Sequence, residues 1–245
     1  MIRYDADSAT FRGDVGAIAG LRDRLSSGAG ATDLPSLVAD AGIEGLGGGS
    51  DPLVEAMATA LSPALFTASV TVSGPGGHHE HVFDIGLNAV AVRHSPVTSD
   101  VAELNGFPMT MLPGAVSRVV RFRPGTPPAE DAQPLRLSAR TVADLGDPDA
   151  DIRRRAWAEV EPVLETAGYR DPEDPSWQLV QSRAAWTATG GERAEELSVH
   201  VRSADHYFVA VQNDEDIDLV PVPSITAWET MIQVLPGADE VQRPS

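Results

Sequence analysis

Residues 66–85 read Phe-Thr-Ala-Ser-Val-Thr-Val-Ser-Gly-Pro-Gly-Gly-His-His-Glu-His-Val-Phe-Asp-Ile. β-Branched residues alternate from Phe66 to Ser73, Gly74-Pro75-Gly76-Gly77 supplies a turn, and Val82, Phe83 and Ile85 resume in a run from His81 to Leu87. Alternation on both sides of a Gly/Pro turn predicts a β-hairpin. Working outward, Asn88–His94, with Val90 and Val92 on one face, and Asp100–Leu104 predict two more strands. Val116, Val119, Val120 and Phe122 then form a helical stripe that stops before Pro124-Gly125. Ahead of the hairpin, Asp51 is placed to cap a helix with Pro52 in its first turn and Leu53, Met57, Ala60 and Leu61 on one face.

This grammar returns later in the chain. Asp174-Pro175 predicts a short helix with Trp177 and Leu179; Ala184–Thr189 predicts a strand that stops at Gly190-Gly191. Glu196–Val201, Tyr207–Val211 and Ile217–Val222 read as further strands. A last helix, capped by Ser224 or Thr226, carries Ile225, Trp228, Met231, Ile232 and Leu235 on one face and closes at Pro236-Gly237. Both units open with Asp-Pro and close with Pro-Gly, so the chain reads as one α+β domain, 1–245, made of two pseudo-repeats, 51–125 and 174–237. Residues 1–50 read as a helical lead-in, with helices over Asp14–Leu25 and Leu34–Ala41. Residues 126–173 read as a Pro-rich linker and a helical insertion over about Asp149–Ala167, kinked or split at Pro162 and capped by Gly168.

Composition narrows the partners more than the reaction. All 18 basic residues are Arg, and with abundant Ala, Gly and Pro this points to a GC-rich, actinobacterial coding sequence. The formal charge is −18, with −5 in residues 1–125 (8 Arg, 13 acids) and −13 in residues 126–245 (10 Arg, 23 acids). Such a surface repels nucleic acid and anionic membranes. With no Cys there is no disulfide, thiolate metal site or cysteine nucleophile. The start, Met-Ile-Arg-Tyr-Asp, lacks a signal-peptide core, and no run approaches the ~20 apolar residues of a membrane span, so the expectation is a cytoplasmic protein without membrane insertion.

No catalytic motif emerges. His78, His79, Glu80 and His81 are the densest group of metal-ligand types, and a strand would put His79 and His81 on one side. A site would need further ligands from elsewhere, and a solvated hairpin tip is the simpler reading. Gly45–Ser50 has the glycines of a phosphate loop but neither a preceding strand nor a following Lys. No Gly-x-Ser-x-Gly elbow is present. Asp214-Glu215-Asp216 reads as a charged hairpin loop, and the four Trp residues read as core. The expectation is a non-enzyme without a cofactor or metal.

The phrases Leu61-Ser-Pro-Ala-Leu-Phe-Thr-Ala-Ser-Val-Thr-Val72, Tyr207-Phe-Val-Ala-Val211 and Ile217-Asp-Leu-Val-Pro-Val222, in this order of elements, resemble the EspG family of actinobacterial type VII (ESX) secretion chaperones over roughly residues 51–240. The resemblance implies a quasi-twofold, central, largely antiparallel sheet flanked by helical bundles. It also implies a cytoplasmic protein that holds the apolar tip of a secreted helical heterodimer of the PE–PPE kind until export. Family members often carry a longer excursion where this chain has only Gly74–His78, so the implied client is PE–PPE-like or another helical type VII substrate. Pro75, His78 and His79, at the hairpin tip, are the candidate partner-binding residues. Two alternatives stay open: an immunity protein whose acidic second half masks a toxin, and a homodimeric scaffold paired through strand edges or an apolar helix face.

Overall fold

The computed structural model describes residues 1–27, 42–46, 52–61, 64–98 and 100–242. The predicted helix at Leu34–Ala41, the tripeptide Gly47–Gly49 and the cap Asp51 lie outside them. Twelve strands form one sheet: β1 Ile2–Asp5, β2 Thr10–Asp14, β3 Ile43–Glu44, β4 Phe66–Gly74, β5 Gly77–Ile85, β6 Ala89–Thr98, β7 Val101–Pro108, β8 Leu135–Ser138, β9 Trp177–Thr187, β10 Arg193–Ser203, β11 His206–Asn213 and β12 Asp216–Val222. Six helices accompany them among the described residues: α1 Val15–Ser26, α2 Pro52–Leu61, α3 Leu112–Val119, α4 Ala139–Leu145, α5 Ala150–Thr166 and α6 Ser224–Ile232. Across the sheet the order is β3-β1-β2-β7-β6-β5-β4-β9-β10-β11-β12-β8. Every pairing is antiparallel except β1 with β3. The expected α+β class with a largely antiparallel sheet is what the chain adopts.

Period-two alternation divides this sheet into two faces. On one face Phe66, Ala68, Val70, Val72, Phe83, Ile85, Val90, Val92, Val180 and Ala184 pack with Val116 of α3 and Met231 of α6 into a central core. The opposite face carries two cores, one at each end. Tyr4, Phe11, Ala91, Ala102 and Leu104 meet Ile18 and Leu21 of α1 and Met57 of α2. Leu179, Val201, Phe208 and Leu219 meet Val142 and Leu145 of α4 and Trp157, Val160 and Leu164 of α5. Phe11, Phe83 and Phe208, one in each core, are fully buried, and burying each such ring contributes roughly 2–3 kcal/mol. The helices therefore sit on both faces but are staggered, central on one and peripheral on the other.

Several expectations are corrected. The helix predicted at Asp174 does not form: Trp177 opens β9, which runs eleven residues with partners on both sides, Trp177 pairing with Ser203 and Ser73 with Leu179. Trp177 and Leu179, read as a helical face, are i and i+2 of a strand, and both are buried. A spacing of two puts both side chains on one face only in a strand, and two strand edges provide the backbone partners. The lead-in is not wholly helical, because β1 and β2 extend the sheet before Asp14 caps α1 through the amides of Gly16 and Ala17. The Pro-rich linker is followed by an edge strand, β8, and a short helix, α4, neither of which was expected. Pro162 lies within α5 without splitting it. Gly168 caps α5 as predicted: its φ is +78°, and its own amide and that of Tyr169 bond back to Glu165 and Leu164, the paired closure of a Schellman motif.

Candidate functional site

The β4–β5 hairpin closes in a two-residue turn, Pro75-Gly76, with Gly74 opposite Gly77. Pro75 and Gly76 are exposed. Alternation sends the two candidate histidines to opposite faces. His78 Nδ1 shares a 2.9 Å hydrogen bond with the Ser73 hydroxyl. Burial, followed by the charge of Arg153, lowers its pKa. His79 lies on the other face, close against Gly77, where an added Cβ would stand 3.0 Å from the imidazole Nε2. Pro75, His78 and His79 therefore do not form one cluster.

The tip is docked, not a free solvated loop. Arg153, on α5, is 5% exposed. Its Nη1 donates to the carbonyls of Asp147 and Pro148, both at 2.7 Å, and its Nε donates to Gly74 at 3.4 Å. A guanidinium thus ties the α4–α5 connection to the base of the hairpin turn. Beneath it Trp157 and Trp177 stack with ring centroids 4.8 Å apart.

His79 and His81 share a face, as expected, and His94 of β6 completes a pair: His81 Nδ1 and His94 Nδ1 are 2.6 Å apart. Burial, then the charges of His94 and His79, lowers the His81 pKa to about 3, and burial lowers that of His94 to about 4. Two imidazoles joined by one proton must include a neutral ring as acceptor. Among the described residues no group of three or more His, Asp or Glu side chains is arranged to hold a metal ion. His200 is a core residue. Its Nε2 hydrogen-bonds with the Thr230 hydroxyl of α6 at 2.8 Å, and burial lowers its pKa to about 4.

The stagger of the helices leaves the middle of one sheet face open. Thr67, Ser69, Thr71, Val82, Arg183, Glu195 and Leu197 share that face between the two peripheral cores, by the registers of β4, β5, β9 and β10. Among the described residues no helix covers this stretch. It is a mostly polar surface with the half-buried Val82 and with Leu197, which is 59% exposed, beside the Arg183–Glu195 ion pair. At one rim Arg22 of α1 holds Asp84 through two bonds of 2.8 and 2.6 Å. The trough offers a broad area of contact.

No protein-family model and no curated protein matches the chain. Among solved structures, the fold is similar to that of the Mycobacterium tuberculosis type VII secretion system chaperone EspG5, solved in complex with the PE25-PPE41 dimer. The TM-score is 0.53 at 8% sequence identity, over 95% of this chain and 100% of that chain. At that identity the likeness is one of fold. It covers nearly the whole of both chains.

Sequence reasoning missed Arg153, Arg202 and the open trough. Arg153 is one of the run Arg153-Arg154-Arg155, which does not single it out, and Arg202 stands between Val201 and Ser203 in its strand; their links to Gly74 and Arg121 arise only when distant segments meet. The trough is a stretch of four strands that no helix among the described residues covers, which no local pattern announces.

Proposed function

We propose that this protein is a non-enzymatic chaperone or adaptor that binds a helical protein, PE–PPE-like or another type VII secretion client, in the cytoplasm before export. The observation that carries the proposal is the fold similarity, over 95% of this chain, to a chaperone solved with a PE–PPE dimer. The surfaces agree with it. A broad uncovered sheet face and an acidic exterior suit a protein partner better than a small substrate, and among the described residues no helix is long and apolar enough to cross a membrane. The same reading treats the chain as one domain of two pseudo-repeats, 51–125 and 174–237. The four-strand runs β4–β7 and β9–β12 abut along β4 and β9, and a helix follows each.

In this proposal the hairpin tip borders the contact, with Pro75 at the exposed turn, His78 on the trough face of β5 and His79 on the opposite face beside the turn. The test is co-expression with a PE–PPE-like pair from the same genome, read by size-exclusion chromatography with light scattering. A stoichiometric complex is expected, and it should weaken when Pro75, His78 and His79 are changed together to Ala. A protein that remains alone beside every such pair sinks the chaperone reading. A complex of unchanged affinity in the triple variant sinks only the tip assignment.

A further inference from the structure

The face that carries the central core ends, at the hairpin tip, in a cleft of about 380 Å³. This volume is within the range of small-molecule sites. Its walls come from three distant segments: the turn Gly74–Gly77 with His79 and His81, the end of α3 with Arg118 and Arg121, and the paired strands β9 and β10 with Gln178 and Arg202. No Asp or Glu lines it. A chain of charge −18 has thus gathered three arginines around one hollow without a compensating carboxylate. Asp174, two residues from the lining Ser176, is taken up by Arg123 at 2.8 Å and by the Ser176 amide at 3.0 Å. At physiological ionic strength charges beyond about 8 Å are screened, so the local arginines outweigh the distant acids.

Two details show that the arginines are placed at a cost. Arg202 is 8% exposed; one Nη donates to the Arg121 carbonyl at 3.0 Å, while its Nε is buried with no partner. A buried charged donor left unpaired is unfavourable unless something else satisfies it. Arg121 occupies the left-handed position after α3, with φ +49°; its own amide and that of Phe122 bond back to Arg118 and Ser117. This is the Schellman site where glycine is the favoured residue, as Gly168 is after α5. Arg118 in the last turn of α3 is accounted for by the helix dipole, but an arginine in the left-handed position is not. Neither Arg118 nor Arg121 has an ion-pair partner among the described residues.

We propose that this cleft is a binding site for a small oxyanion carrying two or more negative charges, of the phosphate or polycarboxylate class, held by Arg118, Arg121 and Arg202. Guanidinium forks match both chemistries by paired N–H···O bonds. The cleft adjoins the partner surface proposed above, since Pro75 and His79 of the hairpin tip line it as well, but its three arginines belong to neither the tip nor the trough.

The probes are inorganic pyrophosphate and citrate, titrated separately into the full chain against sodium chloride of equal ionic strength. Binding is followed by calorimetry and by the NMR signal of Arg202 Nε–H. Saturable one-to-one binding that moves this signal is expected, with pyrophosphate preferred if the natural ligand is a phosphate and citrate preferred if it is a carboxylate. Arg121→Gly should unfold no lower than the parent while its affinity falls at least about tenfold, since one charge-assisted contact is lost and backbone strain is relieved. Arg118→Ala tests the second exposed cation without touching the left-handed position. Absence of saturable binding for both probes, or affinity unchanged in both variants, overturns the proposal.

Discussion

Replacing Arg153 by Met should loosen the hairpin tip. The guanidinium makes two short bonds, both 2.7 Å, to the carbonyls of Asp147 and Pro148, and a long one of 3.4 Å to Gly74. Bonds from a charged donor contribute about 1.5–3 kcal/mol each, and a 3.4 Å contact contributes little. Against that sum stands the cost of burying a guanidinium with no carboxylate beside it, which Met does not incur. The net expectation is a loss of about 2–4 kcal/mol, or about 5–15 °C in Tm for a chain of this size. A second readout separates this from general destabilisation. The Arg153 charge is the second cause, after burial, that lowers the His78 pKa. In the variant the His78 titration, followed by imidazole NMR, should move up yet stay below its ordinary value. An unchanged Tm together with an unchanged His78 titration would refute the idea that Arg153 fastens the tip.

Acid should destabilise the fold before the carboxylates titrate. His81, His94 and His200 have pKa values lowered to about 3, 4 and 4, burial being the first cause of each. An unfolded histidine titrates near 6.5, so between that value and about 4 the unfolded chain takes up protons that the folded chain refuses. Stability is then fully present above about pH 6.5 and is lost as pH falls, by at most about 4 kcal/mol per pH unit for three groups. Urea midpoints at pH 7 and pH 5 check this, and equal midpoints would count against neutral burial of these rings. For the Arg22–Asp84 pair, with the carboxylate residue 3% exposed, Asp84→Ala should cost about 2–4 kcal/mol, whereas Arg22→Met with Asp84→Leu should recover most of the loss. Strict additivity of the single changes in a double-mutant cycle would show that the two groups do not depend on one another.

The elements best read from sequence are those whose pattern is long or strictly punctuated. β4 was legible from alternating β-branched residues and a four-residue Gly/Pro turn, and α5 from Ile152, Ala156, Trp157, Val160 and Leu164 at helical spacing with Gly168 behind them. The miss at Asp174–Leu179 is instructive because Asp-Pro does start helices locally. The free edges of β4 and β10 claimed the segment from Trp177 onward, offering backbone partners along both sides of β9. β1, β2 and β8, four or five residues each, are too short for periodicity to register, and they become strands by docking on edges already present.

At the candidate site, the turn residues and the shared face of His79 and His81 follow from chain geometry, since strand alternation is fixed by the backbone itself. That His78 and His79 diverge follows from the same rule, although the turn drew them into one expected cluster.

By itself the sequence determined the α+β class, the acidic exterior, the absence of cysteine chemistry and the order of the central strands and helices. These depend on composition and on patterns a few residues long. Only the tertiary structure decided that the sheet is continuous across β4 and β9, that its helices stagger to leave a trough, and that Arg118, Arg121 and Arg202 border one cleft. These features join residues 81 to 120 positions apart, from Arg121 with Arg202 at the cleft to Phe66 with Trp186 along β4 and β9. Their proximity arises when burial of three separate cores closes the chain on itself, and no local pattern encodes that closure.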